Sequence, residues 1–464
     1  KISPKITAMR SWAISKISTN AGRAFIFGLA FRLILEIING KYPVGYDTNT
    51  HYILKYVKLD WIGEIRYGFL YQYIMFILAK ATGNVFLAIK ILACFLSGLF
   101  VLSLYMWGKY SGLDSNTALK FSYLCYLFFP VLRLMWDLHR NVMGLSLLLI
   151  GISLSKEKRW ASYLLVFLAG ITHPFTIFVM VSIGLIDLFR LRKNVVLLMA
   201  SNIAGVSPII AYRLIIGQQL SGYVSASGVY WCVPPEMVPL FVGWLALPLF
   251  VVIIARCKIN KSCFARVFKN KYNTYWFVFS IIIAPLFIFA YRIALMAMIP
   301  LFFITFALVN GSKSYIKLLA IITILSSVVF APLSYIYPVN PSFRYAMPPV
   351  PAGSTVFPWD MDDVEGLFRL AKNLLNNSSA LIVQHLQIGI AYYAGINLNR
   401  ENVIITEPDE KFDQYIDTAL ESYLLVLIVW YKKAIIGAWD IPRDGYNFSV
   451  FRESGSFSLY IYYR

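Results

Sequence analysis

A carboxylate and a set of arginines stand out by type and position. The stretch Tyr42-Pro43-Val44-Gly45-Tyr46-Asp47-Thr48-Asn49-Thr50-His51 follows the first long apolar run and holds Asp47 among turn-forming residues. A carboxylate held just above a bilayer can take a proton from a hydroxyl as a general base. The plainer alternative is a loop aspartate capping a short helix, which Asp-Thr-Asn also suits. A second cluster, Arg133-Leu134-Met135-Trp136-Asp137-Leu138-His139-Arg140-Asn141, is wedged between two apolar runs. The forked donors of arginine suit phosphate; the alternative is an Arg–Asp pair that locks a short loop. Arg292 follows Tyr291 at a helix boundary, and Arg213 sits near the end of another apolar run. Each could bind an anion or simply snorkel to lipid headgroups. His173, before Pro174, breaks an apolar stretch, and Glu236 follows Trp231-Cys232-Val233-Pro234-Pro235. Ionisable groups at membrane depth are expensive, which makes Asp137, His139, His173, Glu236 and Arg213 candidates for substrate binding. Asp60, Glu64 and Arg66 read instead as partners for one another.

Other chemistries lack their signatures. There is no phosphate-binding glycine loop, no dinucleotide fingerprint and no His-Glu-x-x-His zinc motif in the chain. The five cysteines (Cys94, Cys125, Cys232, Cys257, Cys263) are scattered and odd in number, which implies neither a disulfide framework nor a metal cluster. No cofactor is therefore expected; no acidic cluster calls for a metal, and a divalent ion stays an open alternative.

The elements that must position these residues are apolar helices. Of the 464 residues 59% are hydrophobic and 14% charged. Soluble domains are roughly 45–50% apolar and about 25% charged, and their cores cannot hide so large an apolar excess. A soluble enzyme is excluded, and helix-length apolar runs exclude an outer-membrane barrel. The chain carries a net charge of +19, and its basic excess lies before Ser342, since acidic residues outnumber basic ones beyond it. Basic residues flanking apolar helices mark the cytoplasmic side, so the charge needs no nucleic-acid partner.

Placing each strongly basic loop inside fixes a topology. The first helix, 24–39, follows a basic N-terminal stretch and is expected to act as a signal anchor with a cytoplasmic N-terminus. The apolar segment 68–81 is short for a span and is read as an in-plane juxtamembrane helix. Spans are then expected at 84–107, 118–132, 142–155, 161–174, 175–189, 194–216, 237–255, 274–290, 293–309 and 318–337, about 11 with the first. If 68–81 crossed instead, the later basic loops would fall outside. The expected architecture is a polytopic α-helical membrane protein: a transmembrane module over 1–338, a proline-rich linker over 339–360, and a small α/β domain over 361–464 on the outer face. Within that domain helices are expected at 362–375 and 410–421, and strands at 380–384, 402–406 and 424–430, with a terminal hairpin at 448–453 and 458–462. Asn376, Asn377 and Asn447 head short N-x-Ser sequons.

An early outer carboxylate, later arginines on the same face and an appended α/β domain together resemble the GT-C superfamily of integral-membrane glycosyltransferases. The likeness is to the branch containing protein O-mannosyltransferases and lipid A aminoarabinose transferases. It covers roughly residues 20–310. Gly45-Tyr46-Asp47-Thr48 matches the catalytic first loop, 68–81 the in-plane helix, Arg133 to Asp137 a later Arg…Asp segment, and Arg292 with Pro300 a late helix. The chain departs from the mannosyltransferases in carrying Thr48 after Asp47, and Ile65-Arg66-Tyr67-Gly68 where they have His-Pro-Pro. The double-Trp signature of oligosaccharyltransferases is absent too.

The resemblance implies a polyprenyl-phosphate-linked sugar donor and a lipid, glycan or protein acceptor. Asp47 would be the base, with Arg292, Arg133 and Arg140 holding the donor phosphate. Inverting single displacement would take place at the extracytoplasmic face of a prokaryotic plasma membrane. A transporter or flippase of lipid-linked sugars is one alternative, although no internal repeat is visible. A polysaccharide polymerase or ligase is another, and a non-catalytic scaffold a third.

Overall fold

The computed structural model describes residues 19–58, 61–215, 250–254, 271–283, 291–336, 360–406, 412–431 and 445–464. The chain divides into two compact units: Lys1–Ile34 with Trp61–Met75 and Ile91–Phe330, and Leu35–Asp60 with Phe76–Lys90 and Ala331–Arg464. The expected helix 237–255 and the linker 339–360 fall largely outside the described residues.

In the order of the chain the helices are α1 Asn20–Ile38, α2 Tyr46–Asn49, α3 His51–Val57, α4 Leu70–Thr82, α5 Val85–Tyr110, α6 Ser115–Leu127, α7 Phe129–Asp137 and α8 His139–Leu154. They continue as α9 Arg159–Thr172, α10 Thr176–Phe189, α11 Lys193–Ile215, α12 Lys271–Ile283, α13 Tyr291–Val309 and α14 Lys313–Ile336. Among the described residues α5 and α11 are long and apolar enough to cross a membrane, and α8, α9, α10 and Met298–Val309 are shorter apolar helices. The expected single helix 118–132 is two. Phe128 is extended and Pro130 opens α7, where a missing N–H costs nothing. The segment Arg133–Asn141 is consequently not a loop: it ends α7, breaks at Leu138 and begins α8.

The first unit packs its helices closely. A Cβ at Gly170 would lie 2.5 Å from the main-chain oxygen of Asn202, and one at Gly205 would strike that of Phe167. Glycine at both positions lets α9 and α11 meet backbone to backbone, the mode membrane helices use when apolar burial gives little drive. Asn202 secures the contact, donating to the Val166 carbonyl at 3.2 Å and to Thr176 Oγ1 at 3.1 Å.

The second unit holds a five-stranded sheet in the order β2-β1-β3-β5-β4. Its strands are β1 Ser379–Gln384, β2 Val403–Thr406, β3 Leu425–Tyr431, β4 Asn447–Ser454 and β5 Phe457–Tyr463. The first three run parallel; β5 and β4 are antiparallel additions forming a hairpin. The parallel strands are nearly continuous apolar runs because both faces are covered. On one face Ala380 and Ile382 pack with Ile416 and Ala419 of α17 (Phe412–Ser422) and with Trp430, Tyr460 and Tyr462. Against the sheet also lies α15 (Met361–Leu374), which buries Val364, Leu367, Phe368 and Ala371. The expected C-terminal α/β sheet is thus present, with one unanticipated element: α16 (Ile388–Tyr393), entered through the short 3-10 turn His385–Gln387 after β1.

The residues around Asp47 fold with this sheet. Lys41 forms ion pairs with Asp362 at 2.6 Å and with Glu365, and Tyr42 donates to Glu365 Oε2 at 2.9 Å. Glu365 also accepts from Arg369 at 2.7 Å. Burial alone would raise the Glu365 pKa, but hydrogen bonds from Lys41, Tyr42 and Arg369 outweigh it and hold the carboxyl below its ordinary value. Asn399 donates to the Val57 carbonyl at 3.0 Å.

Candidate functional site

Asp47 lies in the one-turn helix α2, which Gly45 opens with a φ of 114° that a side chain would resist. Neighbouring polar groups hold this turn. Asn49 Nδ2 donates to the carbonyls of Pro43 (2.6 Å) and Gly45 (2.8 Å). Thr48 Oγ1 donates to the Gly45 carbonyl at 2.6 Å, and Asn39 Nδ2 to that of Tyr42 at 2.8 Å. The Val44 N–H reaches the buried Glu36 carboxylate at 3.0 Å. Loop carbonyls that would otherwise be buried without a partner are thereby satisfied, and Asp47 sits on a fixed platform. Its side chain is 18% exposed, with Oδ1 3.9 Å from His51 Nε2 one turn on. The His51 ring lies 4.6 Å from that of His385, the residue directly after β1. An accessible carboxylate can accept a proton from a bound hydroxyl, becoming a neutral carboxyl group that an adjacent imidazole can orient.

The same segment packs against α16. A Cβ at Gly389 would lie 2.5 Å from the Asn49 main-chain oxygen, so this contact admits glycine alone without a shift. His51, His385 and Gly389 had no role in the sequence argument. His51 meets Asp47 locally, but the contacts of His385 with His51 and of Gly389 with Asn49 join positions more than three hundred residues apart, beyond the reach of any local pattern.

In the first unit Arg140 and Arg213 converge on one aromatic ring. Arg140 Nη1 donates to the Tyr67 carbonyl at 3.2 Å, and its guanidinium lies 5.9 Å from the ring. That of Arg213 lies 5.7 Å from the same ring. Both are cation–π distances. Tyr67 ends the 3-10 turn Gly63–Tyr67 and escaped notice because aromatics are abundant throughout. His139 is buried, with Nδ1 2.8 Å from Tyr71 Oη.

Arg32 was missed, yet it organises the helix break. Buried within α1, it donates to the carbonyls of Met135 (2.9 Å) and Trp136 (3.2 Å) at the C-terminus of α7. Those carbonyls have no continuing helix to bond, and a guanidinium satisfies them while opposing the helix dipole. A lone arginine inside the first apolar run was the available signal.

The other candidates are placed less fully. His173 ends α9 in an extended conformation and its Nδ1 accepts from the Phe175 N–H at 3.1 Å, which accounts for that nitrogen by local turn geometry. Arg133 and Asp137 belong to α7 and Arg292 to the first turn of α13; the described structure covers the backbone at these positions and not the side chains. Glu236 and Asp60 lie outside the described residues. Among the described residues no group of three His, Cys, Asp or Glu side chains is placed to hold a metal ion.

The apolar helices make this a membrane protein. No curated protein matches the sequence. A family model does, over residues 24–347, which takes in Asp47, the α7–α8 break and Arg292, and the chain belongs to the EpsG family.

Proposed function

We propose that the protein is a membrane glycosyltransferase of the polysaccharide-polymerase kind, extending a lipid-linked glycan at the extracytoplasmic face. Membership of the EpsG family, a membrane exopolysaccharide-polymerase-like family, is the observation that carries this reading. It favours a polymerase over the transfer of single sugars that the sequence resemblance alone implied. A GT-C-like bundle of about 11 spans with the C-terminal domain outside is the architecture that goes with it.

In this scheme the acceptor is a sugar hydroxyl and the donor a polyprenyl-phosphate-linked saccharide. The acceptor oxygen attacks the donor's anomeric carbon and its proton passes to the Asp47 carboxylate. The new C–O bond forms as the bond to the phosphate oxygen breaks, and the phosphate leaves with the electron pair. Inversion at the anomeric carbon follows from a single displacement. Charge builds on the departing phosphate, so preorganised cations lower the barrier. Arg292, Arg133 and Arg140 are the proposed partners of that phosphate. His51, whose Nε2 is 3.9 Å from Asp47 Oδ1, is the proposed orienting neighbour of that carboxylate. The scheme needs neither nucleotide nor metal.

The test is incubation of the full chain in detergent with a polyprenyl-phosphate-linked oligosaccharide. The expected products are a ladder of longer lipid-linked glycans and free polyprenyl phosphate, both lost in Asp47→Asn. Transfer of one sugar unit without a ladder would return the protein to the single-transfer reading. Donor binding without release of polyprenyl phosphate would favour a transporter.

A further inference from the structure

The second unit carries a set of buried polar groups that the proposed mechanism does not use. Gln384 and Thr406 are the last residues of β1 and β2 and are register partners, so their side chains leave the same face of the sheet at its C-terminal edge. Both are nearly fully buried, at 4% and 1% exposure. Gln384 Oε1 and Thr406 Oγ1 have no hydrogen-bond partner among the described residues. Gln387, wholly buried in the turn that leaves β1, has neither Oε1 nor Nε2 bonded among the described residues. Asn49, brought against the following helix at Gly389, has a buried Oδ1 that likewise has no partner among the described residues. Its orientation is fixed, since its Nδ2 already serves two carbonyls.

Four such residues at one edge are a heavy load. Each unsatisfied buried polar group costs about 1–3 kcal/mol, and native proteins keep few of them. The edge they occupy, beyond the carboxyl ends of parallel strands, is where open α/β sheets bind ligands. The chemistry of the set is specific. It has no formal charge, and three of its orphan atoms are amide oxygens, which would repel a phosphate or carboxylate. What they need is a neutral ligand rich in hydroxyl donors that can also accept from Thr406 and the Gln387 amide. A pyranose has that character.

We propose that the C-terminal edge of β1 and β2, with Asn49, is a neutral-saccharide subsite that holds the acceptor glycan beside Asp47. Calling the ligand an acceptor rests on the glycosyl-transfer reading above; the existence of the subsite does not. Asn49 is two positions from Asp47 and His385 lies between Gln384 and Gln387, so the subsite and the Asp47–His51–His385 row share one segment of structure.

The test is binding to the full chain in detergent, by saturation-transfer NMR and calorimetry. The probes are methyl glycosides of glucose, galactose and N-acetylglucosamine, their disaccharides, and inorganic phosphate. At least one glycoside should bind and phosphate should not compete. Thr406→Val should weaken glycoside binding by roughly five- to tenfold, the worth of one neutral hydrogen bond, while the thermal midpoint stays level or rises because an unpaired buried hydroxyl is gone. Gln387→Leu should act in the same direction and stands in if Thr406→Val does not fold. Glycoside binding that Thr406→Val weakens, in a wild type that releases no polyprenyl phosphate, would keep the subsite and remove only its acceptor role. Absence of glycoside binding in the wild type, competition by phosphate, or unchanged affinity in both variants would overturn the proposal and leave ordered water as the partner of these groups.

Discussion

Around Asp47 the stabilising partners come from opposite ends of the chain: Lys41 meets Asp362 and Glu365, Asn399 meets Val57, and His51 meets His385. Around the α7–α8 break the partners are an arginine within an apolar helix and two main-chain carbonyls. The first region is held by ion pairs in which the buried Glu365 meets the more exposed Lys41 and Arg369, the second in part by a buried guanidinium donating to main-chain oxygens. Charged pairs at a surface are screened and depend on pH. A guanidinium on main-chain carbonyls adds a buried contact that is screened far less. The Asp47 region should therefore respond to pH and salt through Glu365 and its partners, whereas the helix break rests in part on a buried main-chain contact.

The sharpest way to break this comparison is at Asp47 itself. Asp47→Asn should lower transfer by about 10²–10⁴-fold, the usual worth of a general base, with the thermal midpoint nearly unchanged. A large loss of stability instead would make Asp47 a structural residue like Arg32. Gly389→Ala comes next: its new methyl meets the Asn49 main chain, and displacing the Asp47 turn by even a fraction of an ångström should lower transfer by roughly tenfold to a hundredfold. Unchanged kinetics would show that the turn tolerates movement. Arg32→Met should destabilise the protein by about 2–3 kcal/mol, because two carbonyls lose charged hydrogen bonds. Arg32→Lys should restore only part of this, since one ammonium cannot reproduce the fork. Midpoints of thermal unfolding check both.

The smallest effect is the pH dependence at Glu365. Its ordinary pKa of 4.5 applies to the unfolded chain and its folded value is lower. The stabilisation is thus full above about 4.5 and disappears as pH falls through the folded value. Glu365→Gln should remove that acid-sensitive part, about 1 kcal/mol given the exposure of Lys41 and Arg369, and flatten the midpoint-versus-pH curve below pH 5. A curve of the same shape in the variant would place the acid sensitivity elsewhere.

Much of the helical organisation was legible because apolar run length and flanking charge are local signals. The ends of α5, α9, α10 and α11 fall within a few residues of expectation. The split at Phe128 was legible in principle, since Pro130 stood in the sequence, but the apolar run masked it. Of the site, Asp47 could be singled out by its turn residues and Arg140 by its cluster. Tyr67, which gathers Arg140 and Arg213, could not, because one tyrosine among many carries no local mark.

The sequence by itself determined an apolar helical membrane chain and a C-terminal run of short buried strands, because helix and strand periods and burial are written into residues a few positions apart. It also set out the chemical types on offer, among them the Asp47 carboxylate and the later arginines. Tertiary structure alone decided which of these meet. Gln384 and Thr406 are ordinary residues until strand register sets them side by side, and Asp47 is an ordinary loop aspartate until His51 and His385 stand in a row with it. Contacts between distant segments depend on how buried faces fit together, and no short stretch of chain encodes that fit.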